Sequence, residues 1–177
     1  MKYGLFYGST TGNTENVANA IAEALGDEVT VLQEISGASV EQFQSVDVVL
    51  CGASTWDVGE LQYDWAEFLP TLEGIDLAGK AVGFFGMGDA MGYPYNYLDC
   101  LGEIWETLEP SKATLIGKWP TEGYEFDESR GEIEPGWFVG LALDDDNEPD
   151  LTEERTEKWL AQIKAEVAKF AEERSAA

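Results

Sequence analysis

The feature that most constrains this chain is an alternation of short apolar runs, each the length of a strand, with longer stretches of helical spacing. Apolar runs fall at 3–7, 29–32, 47–51 and 81–85, and a fifth is divided into 115–119 and 138–143. Val17, Ile21 and Leu25, four residues apart, predict a helix over 16–25 that stops at Gly26. Residues 63–72 and 96–108 read as helical, and in a last helix from about 151 Leu160, Ile163, Val167 and Phe170 form one stripe. The third run has Val48, Val49 and Leu50 in succession, so it is expected to be covered on both faces. Strands joined through helices by right-handed crossovers build a parallel sheet between two helical layers. The expected fold is therefore an α/β, three-layer, doubly wound sheet of five parallel strands. It forms a single domain of 177 residues whose last strand is interrupted by an insertion at about 120–136.

Composition limits the partners. With 44% hydrophobic and 12% aromatic residues the chain can bury a core despite a formal net charge of −25. That charge argues against nucleic acid and against anionic membrane surfaces, both of which need Lys and Arg to displace counterions. No apolar segment is long enough to insert in a membrane. Cys51 and Cys100 stand far apart in apolar contexts and read as small buried hydrophobes in a reducing compartment. A soluble cytoplasmic protein without an export signal is expected.

In doubly wound sheets ligands bind at the carboxyl ends of the strands, where the winding reverses. The loop after the first strand is Gly8, Ser9, Thr10, Thr11, Gly12, Asn13 and Thr14, leading into the first helix. Small residues let backbone N–H groups converge, the helix N-terminus adds partial positive charge, and four hydroxyls supply further donors. The loop lacks the Lys of a triphosphate-binding loop and the Gly-x-Gly-x-x-Gly of a dinucleotide site. A cradle of neutral donors suits a terminal phosphate monoester that stays put. After the third strand come Ser54, Thr55, Trp56, Asp57, Val58 and Gly59; after the fourth come Gly86, Met87, Gly88, Asp89 and Tyr93. Trp56 and Tyr93, each in a glycine-flanked loop, are placed to stack on the two faces of a planar ring.

These three segments, with the run from Gly140 through Asp144 to Asn147, resemble the cofactor loops of the long-chain flavodoxins. Flavodoxins are themselves a known example of ligand binding at such a switch point, with strand order 2-1-3-4-5. The resemblance implies that Ser9, Thr10, Thr11, Gly12, Asn13 and Thr14 hold the phosphate of FMN, with Thr55 and Asp146 near the ribityl chain. It implies that Trp56 and Tyr93 flank the isoalloxazine, that backbone around Asp57, Val58, Gly59, Gly88 and Asp89 meets its polar edge, and that Asn96 lies nearby. Ser54, Gly86 and Met87 belong to the same loops. In that family the peptide near Asp57 turns toward the ring on reduction, and β-branched Val58 is expected to resist this turn. Ala90 stands where many relatives have Gln.

The chain has no His, no Cys-x-x-Cys and no Gly-x-Ser-x-Gly, so acid–base and nucleophilic catalysis lose their commonest groups. No catalytic residue and no metal ligand set is expected. The resemblance implies a monomeric, low-potential, one-electron carrier using non-covalently bound FMN. Its acidity would steer it to redox enzymes with basic docking surfaces, a reductase as donor and a low-potential acceptor. The alternative is an FMN-dependent NAD(P)H quinone or nitro reductase of the same fold, against which stands the covering of both ring faces by Trp56 and Tyr93.

Overall fold

The computed structural model describes residues 1–176. The chain runs β1 (Tyr3–Tyr7), α1 (Asn13–Leu25), β2 (Val29–Glu34), α2 (Val40–Ser45), β3 (Val48–Trp56), β4 (Glu60–Leu61) and α3 (Tyr63–Phe68). It continues through β5 (Ala81–Met87), α4 (Asp99–Leu108), β6 (Thr114–Leu115), β7 (Trp119–Pro120), β8 (Glu132–Glu134), β9 (Trp137–Phe138), β10 (Leu141–Leu143) and α5 (Thr152–Ala176). The central sheet has the order β2-β1-β3-β5-β10, all parallel, with β6 on the same edge of β5. This is the expected doubly wound order, and the fifth position is divided: β6 pairs with the start of β5 and β10 with its end.

Because successive strand residues point to opposite faces, neighbours in sequence fall into different cores. Leu5, Leu50 and Phe85 pack with Val17 and Ile21 of α1 and Trp159, Ile163 and Phe170 of α5. Phe6, Val49, Cys51 and Phe84 pack on the other face with Phe43 of α2, Trp65 of α3 and Leu101 and Ile104 of α4. The stripe Leu160, Ile163, Val167 and Phe170 is buried, and so are both cysteines. Gly26 ends α1 at φ 59°, a conformation that favours glycine.

Several boundaries differ from expectation. α1 begins at Asn13, three residues early, because Gly12 at φ 96° turns the chain straight into the helix. β3 continues through Trp56, since pairing of Thr55 with Leu61 and of Trp56 with Glu60 extends it as a hairpin. β5 continues through Met87, held by β3 and β10. α4 begins at Asp99 rather than 96, after Leu98 at φ 57°.

The runs 115–119 and 138–143 are each divided between two sheets. Gly117 at φ 76° redirects the chain, so that Trp119 joins β7, and β7, β9 and β8 form a separate antiparallel sheet. This insertion is anchored by Tyr97, Tyr124, Phe126 and Phe138, with ring centroids 5.2–6.1 Å apart. The Trp119 indole N–H donates to the Tyr124 hydroxyl at 2.8 Å, which donates to the Ala142 carbonyl at 2.7 Å. Among the described residues no helix is long and apolar enough to cross a membrane.

Candidate functional site

β1, β3 and β5 end on the same side of the sheet, and their loops enclose a cleft of about 340 Å³. Ser9, Thr10, Thr11, Asn13 and Thr14 line it from the β1 side, Ser54, Thr55, Trp56 and Asp57 from β3, and Met87, Gly88, Asp89 and Tyr93 from β5. Asp145 and Asp146 close it from the loop after β10. Gly12, Val58, Gly59, Gly86 and Asn96 do not line it. Gly86 lies inside β5, and a Cβ there would meet Leu101 of α4 at 2.8 Å, so its smallness serves helix packing.

The first loop is organised from within. Gly12 N–H donates to Ser9 Oγ at 3.1 Å, while the Gly12 carbonyl accepts from Asn16 N–H at 2.9 Å, the first bond of α1. The first-turn N–H groups of a helix have no intrahelical partner, and Asn13 and Thr14, read from sequence as loop, supply that turn. Gln62 reaches from the start of α3, donating from Nε2 to Thr10 Oγ1 at 3.3 Å. On this side four hydroxyl residues and the N-terminal turn of α1 therefore line the cleft, with no Lys or Arg among the lining residues. Such a donor set matches a phosphate monoester.

The second wall is set by the β3–β4 hairpin. The Trp56 indole N–H donates to Ser54 Oγ at 2.9 Å, which fixes the ring's direction, and Thr55 Oγ1 accepts from Cys100 N–H at 3.3 Å. In the turn, Asp57 and Gly59 have φ of 42° and 84°, whereas Val58 lies outside the left-handed region and is exposed. The strained residue is thus Asp57, and the β-branch of Val58 meets no such demand in this conformation. A Cβ on Gly59 would stand 2.6 Å from Asp99 Oδ2 and 2.9 Å from Asn96 Nδ2, so the turn rests directly on that pair. Asn96 accordingly lies behind the turn.

The third wall carries Tyr93, partly exposed, in a loop closed by Tyr93 N–H donating to the Asp89 carbonyl at 2.9 Å. Desolvation, then the carboxylates of Asp89, Asp144 and Asp145, raise the pKa of Asp146 above the ordinary Asp value. Asp145 and Gln62 are the members that sequence reading missed. Asp145 carries a local signal, adjacency to Asp146, but Gln62 reaches Thr10 across 52 residues and carries none. A larger groove of about 670 Å³ between α1 and α5 has none of this convergence of hydroxyls with two aromatic walls.

Fold and cleft together define a doubly wound α/β domain with a hydroxyl-rich loop at the switch point and aromatic residues on the neighbouring loops. The family model described as Flavodoxin matches residues 5–159. Flavodoxin 1 of Salmonella typhimurium is 48% identical over 164 residues, covering 93% of each chain, and the Synechocystis flavodoxin is 46% identical over 164 residues, covering 92% of this chain and 96% of its own. The crystal structure of Fusobacterium nucleatum flavodoxin bound to flavin mononucleotide superposes with a TM-score of 0.86 at 28% identity, covering 93% of this chain and 98% of that one. The chain belongs to the flavodoxin family, and it is an electron-transfer protein rather than an enzyme.

Proposed function

We propose that this flavodoxin binds FMN non-covalently in the cleft at the ends of β1, β3 and β5 and carries single electrons at low potential from a reductase to an acceptor. The observation that carries the reading is the pairing, in one cleft, of a cation-free donor cradle at the α1 N-terminus with Trp56 and Tyr93. The donor chemistry fits the cofactor: neutral N–H and O–H groups suit its phosphate, and two aromatic walls suit a planar ring. When bound, the flavin supplies one-electron redox chemistry.

The protein's own residues then bind, orient and shield. Ser9, Thr10, Thr11, Asn13 and Thr14 anchor the phosphate, with Gly12 shaping their loop. Ser54, Thr55 and Asp146 meet the sugar-like chain, and Trp56 and Tyr93 exclude water from the ring faces. Asp57, Gly88 and Asp89 present backbone groups to the polar edge, and Met87 lies beneath. Val58 at 74%, Met91 at 78% and Tyr95 at 62% exposure put apolar side chains on the loops after β3 and β5 of a strongly acidic protein. Such side chains suit transient docking of partners whose own surfaces are basic around an apolar centre. The protein acts as a monomer, a single domain, in the cytoplasm.

Purification followed by a visible spectrum and an anaerobic reductive titration tests the reading. A flavin spectrum reduced in separate one-electron steps, without NAD(P)H-driven quinone turnover, is expected. A protein that neither retains nor takes up FMN overturns it, and rapid quinone turnover with NADPH alone replaces it with the reductase.

A further inference from the structure

Two loops of the cleft, 88–93 and 144–147, are tied together by Ala90 N–H donating to Asp144 and by the side-chain amide of Asn147, which bonds both Asp89 and Asp144. Asn147 Nδ2 lies 2.9 Å from Asp89 Oδ1, 3.0 Å from Asp144 Oδ1 and 2.8 Å from Asp144 Oδ2. Asp144 is buried at 2% exposure and also accepts Ala90 N–H at 3.0 Å and Asn147 N–H at 3.0 Å. Asp89 Oδ1 also accepts Gly92 N–H at 2.7 Å. Both carboxylates therefore organise backbone on the Tyr93 loop, and Asn147 is the neutral donor between them.

We infer that Asn147 is a positioning residue, a neutral clasp that holds the Tyr93 wall of the cleft against the Asp145–Asp146 wall. An amide with two N–H groups satisfies two facing carboxylates without adding charge. Without it, Asp89 and Asp144 repel across the loops, with Asp145 and Asp146 adding like charge from the same side. Burial first, and then the carboxylates of Asp89, Asp144 and Asp145, hold the pKa of Asp146 above the ordinary Asp value, so like charge gathers on this side of the cleft. Glu148 and Arg155 also flank the knot, but Arg155 is engaged with Glu148 at 2.8 Å and lies over the Tyr124 ring at 4.3 Å. The phenols of Tyr97 and Tyr124, both raised by burial, stay neutral through the physiological range. The clasp thus fixes where Tyr93 stands without touching the ligand's space itself, since Asn147 does not line the cleft.

This inference rests on FMN as the ligand only for its affinity readout, so the test has two arms. In the first, backbone amide exchange of Ala90 and Gly92 is measured on the full-length apoprotein by NMR for wild type, Asn147→Ala and Asn147→Asp. At pH 8, Asn147→Asp is expected to speed exchange at both amides at least tenfold relative to wild type, and Asn147→Ala by less. In the second, FMN dissociation constants are measured by fluorescence quenching from pH 5 to pH 8. Asn147→Asp is expected to bind at least tenfold more weakly than wild type at pH 8. The ratio should shrink as pH falls, because the introduced carboxyl, once protonated, regains one donor and loses its charge. Taking the ratio at each pH cancels the titration of the FMN phosphate, common to both proteins.

Unchanged Ala90 and Gly92 exchange in both variants overturns the clasp, whatever FMN does. A deficit in Asn147→Asp that is flat with pH overturns it too, because that is the mark of generic damage. A wild-type protein that fails to bind FMN would instead overturn the proposed function and leave the exchange arm to decide the clasp.

Discussion

Gly12 offers a clean measurement of how far the phosphate cradle is built in advance. Its φ is 96° and ψ −10°, and a Cβ built there meets nothing within 4 Å, so Gly12→Ala perturbs the backbone preference alone. The left-handed region costs an L-residue roughly 1–2 kcal/mol. Ala also narrows the unfolded ensemble, which returns about 0.4–1 kcal/mol. The net strain is therefore about 1 kcal/mol, a factor of about five in an equilibrium constant. If the free loop keeps its shape, held by Gly12 N–H to Ser9 Oγ and Asn16 N–H to the Gly12 carbonyl, the whole strain appears as lost stability of the apoprotein. If the free loop relaxes instead, the unfolded-state gain stays with the apoprotein and the full strain of roughly 1–2 kcal/mol appears on binding, an FMN Kd roughly 5- to 30-fold weaker. The two losses must sum to about 1 kcal/mol, read by urea unfolding of the apoprotein and by flavin fluorescence quenching. Gly79→Ala is the matched control, because Gly79 has φ 74°, equally open space for a Cβ and a position outside the cleft. It should lose about the same stability with no change in Kd. A summed loss near zero for Gly12→Ala beside a normal loss for Gly79→Ala would refute the assignment of Gly12 to a rigid cradle.

Gly59→Ala combines positive φ with a contact of 2.6 Å to Asp99 Oδ2. It should cost roughly 2–3 kcal/mol of apoprotein stability, more than either open glycine, as read by urea unfolding; a loss equal to that of Gly79→Ala would mean the turn does not rest on Asp99. Trp56→Ala removes one aromatic wall, and stacking on one ring face is worth about 1–3 kcal/mol. FMN should bind roughly 30-fold more weakly while apoprotein unfolding barely moves, since Trp56 is not in the core; a Kd within twofold of wild type would remove Trp56 from the site. Asp146 has a folded pKa raised above the unfolded value, so its contribution to stability is present below the ordinary Asp range and lost as pH rises through the folded value. Apo Asp146→Asn should therefore melt above wild type at pH 7, with the gap closing toward pH 3 in calorimetric scans, and equal melting at pH 7 would contradict the raised value.

How much was legible in the sequence follows from which signals are local. The helix face Val17, Ile21 and Leu25 and the stripe from Leu160 to Phe170 were readable because burial repeats with the helical period. Gly26 was readable because a helix end needs a residue that tolerates positive φ. The cleft's strand-end segments were readable for the same reason: Ser9, Trp56 and Tyr93 sit beside small residues where an apolar run stops. Boundaries were misplaced where a partner decides them. Trp56 belongs to a strand only because Glu60 and Leu61 fold back on it, and Trp119 left the fifth strand because the insertion built a sheet of its own around Tyr97 and Phe138. Gln62 and the Asp89–Asn147 contact were invisible because each joins residues more than fifty apart.

The acidity must be divided in the same way between what is near and what is far. A unit charge about 10 Å from the ring in water changes its energy by roughly 0.4 kcal/mol, near 20 mV for one electron, and physiological salt screens beyond about 8 Å. Of the formal −25, whatever lies beyond that reach barely touches the ring and would act through long-range steering of partners. What remains for the potential is local: Asp57, Asp89, Asp145 and Asp146 line the cleft with no lining Lys or Arg to offset them. With FMN bound there as proposed, these carboxylates would oppose the arrival of negative charge on the ring and so favour a low potential. Partner choice and redox tuning therefore belong to different subsets of the same acids, and substitutions on the far face of α5 should change the first without the second.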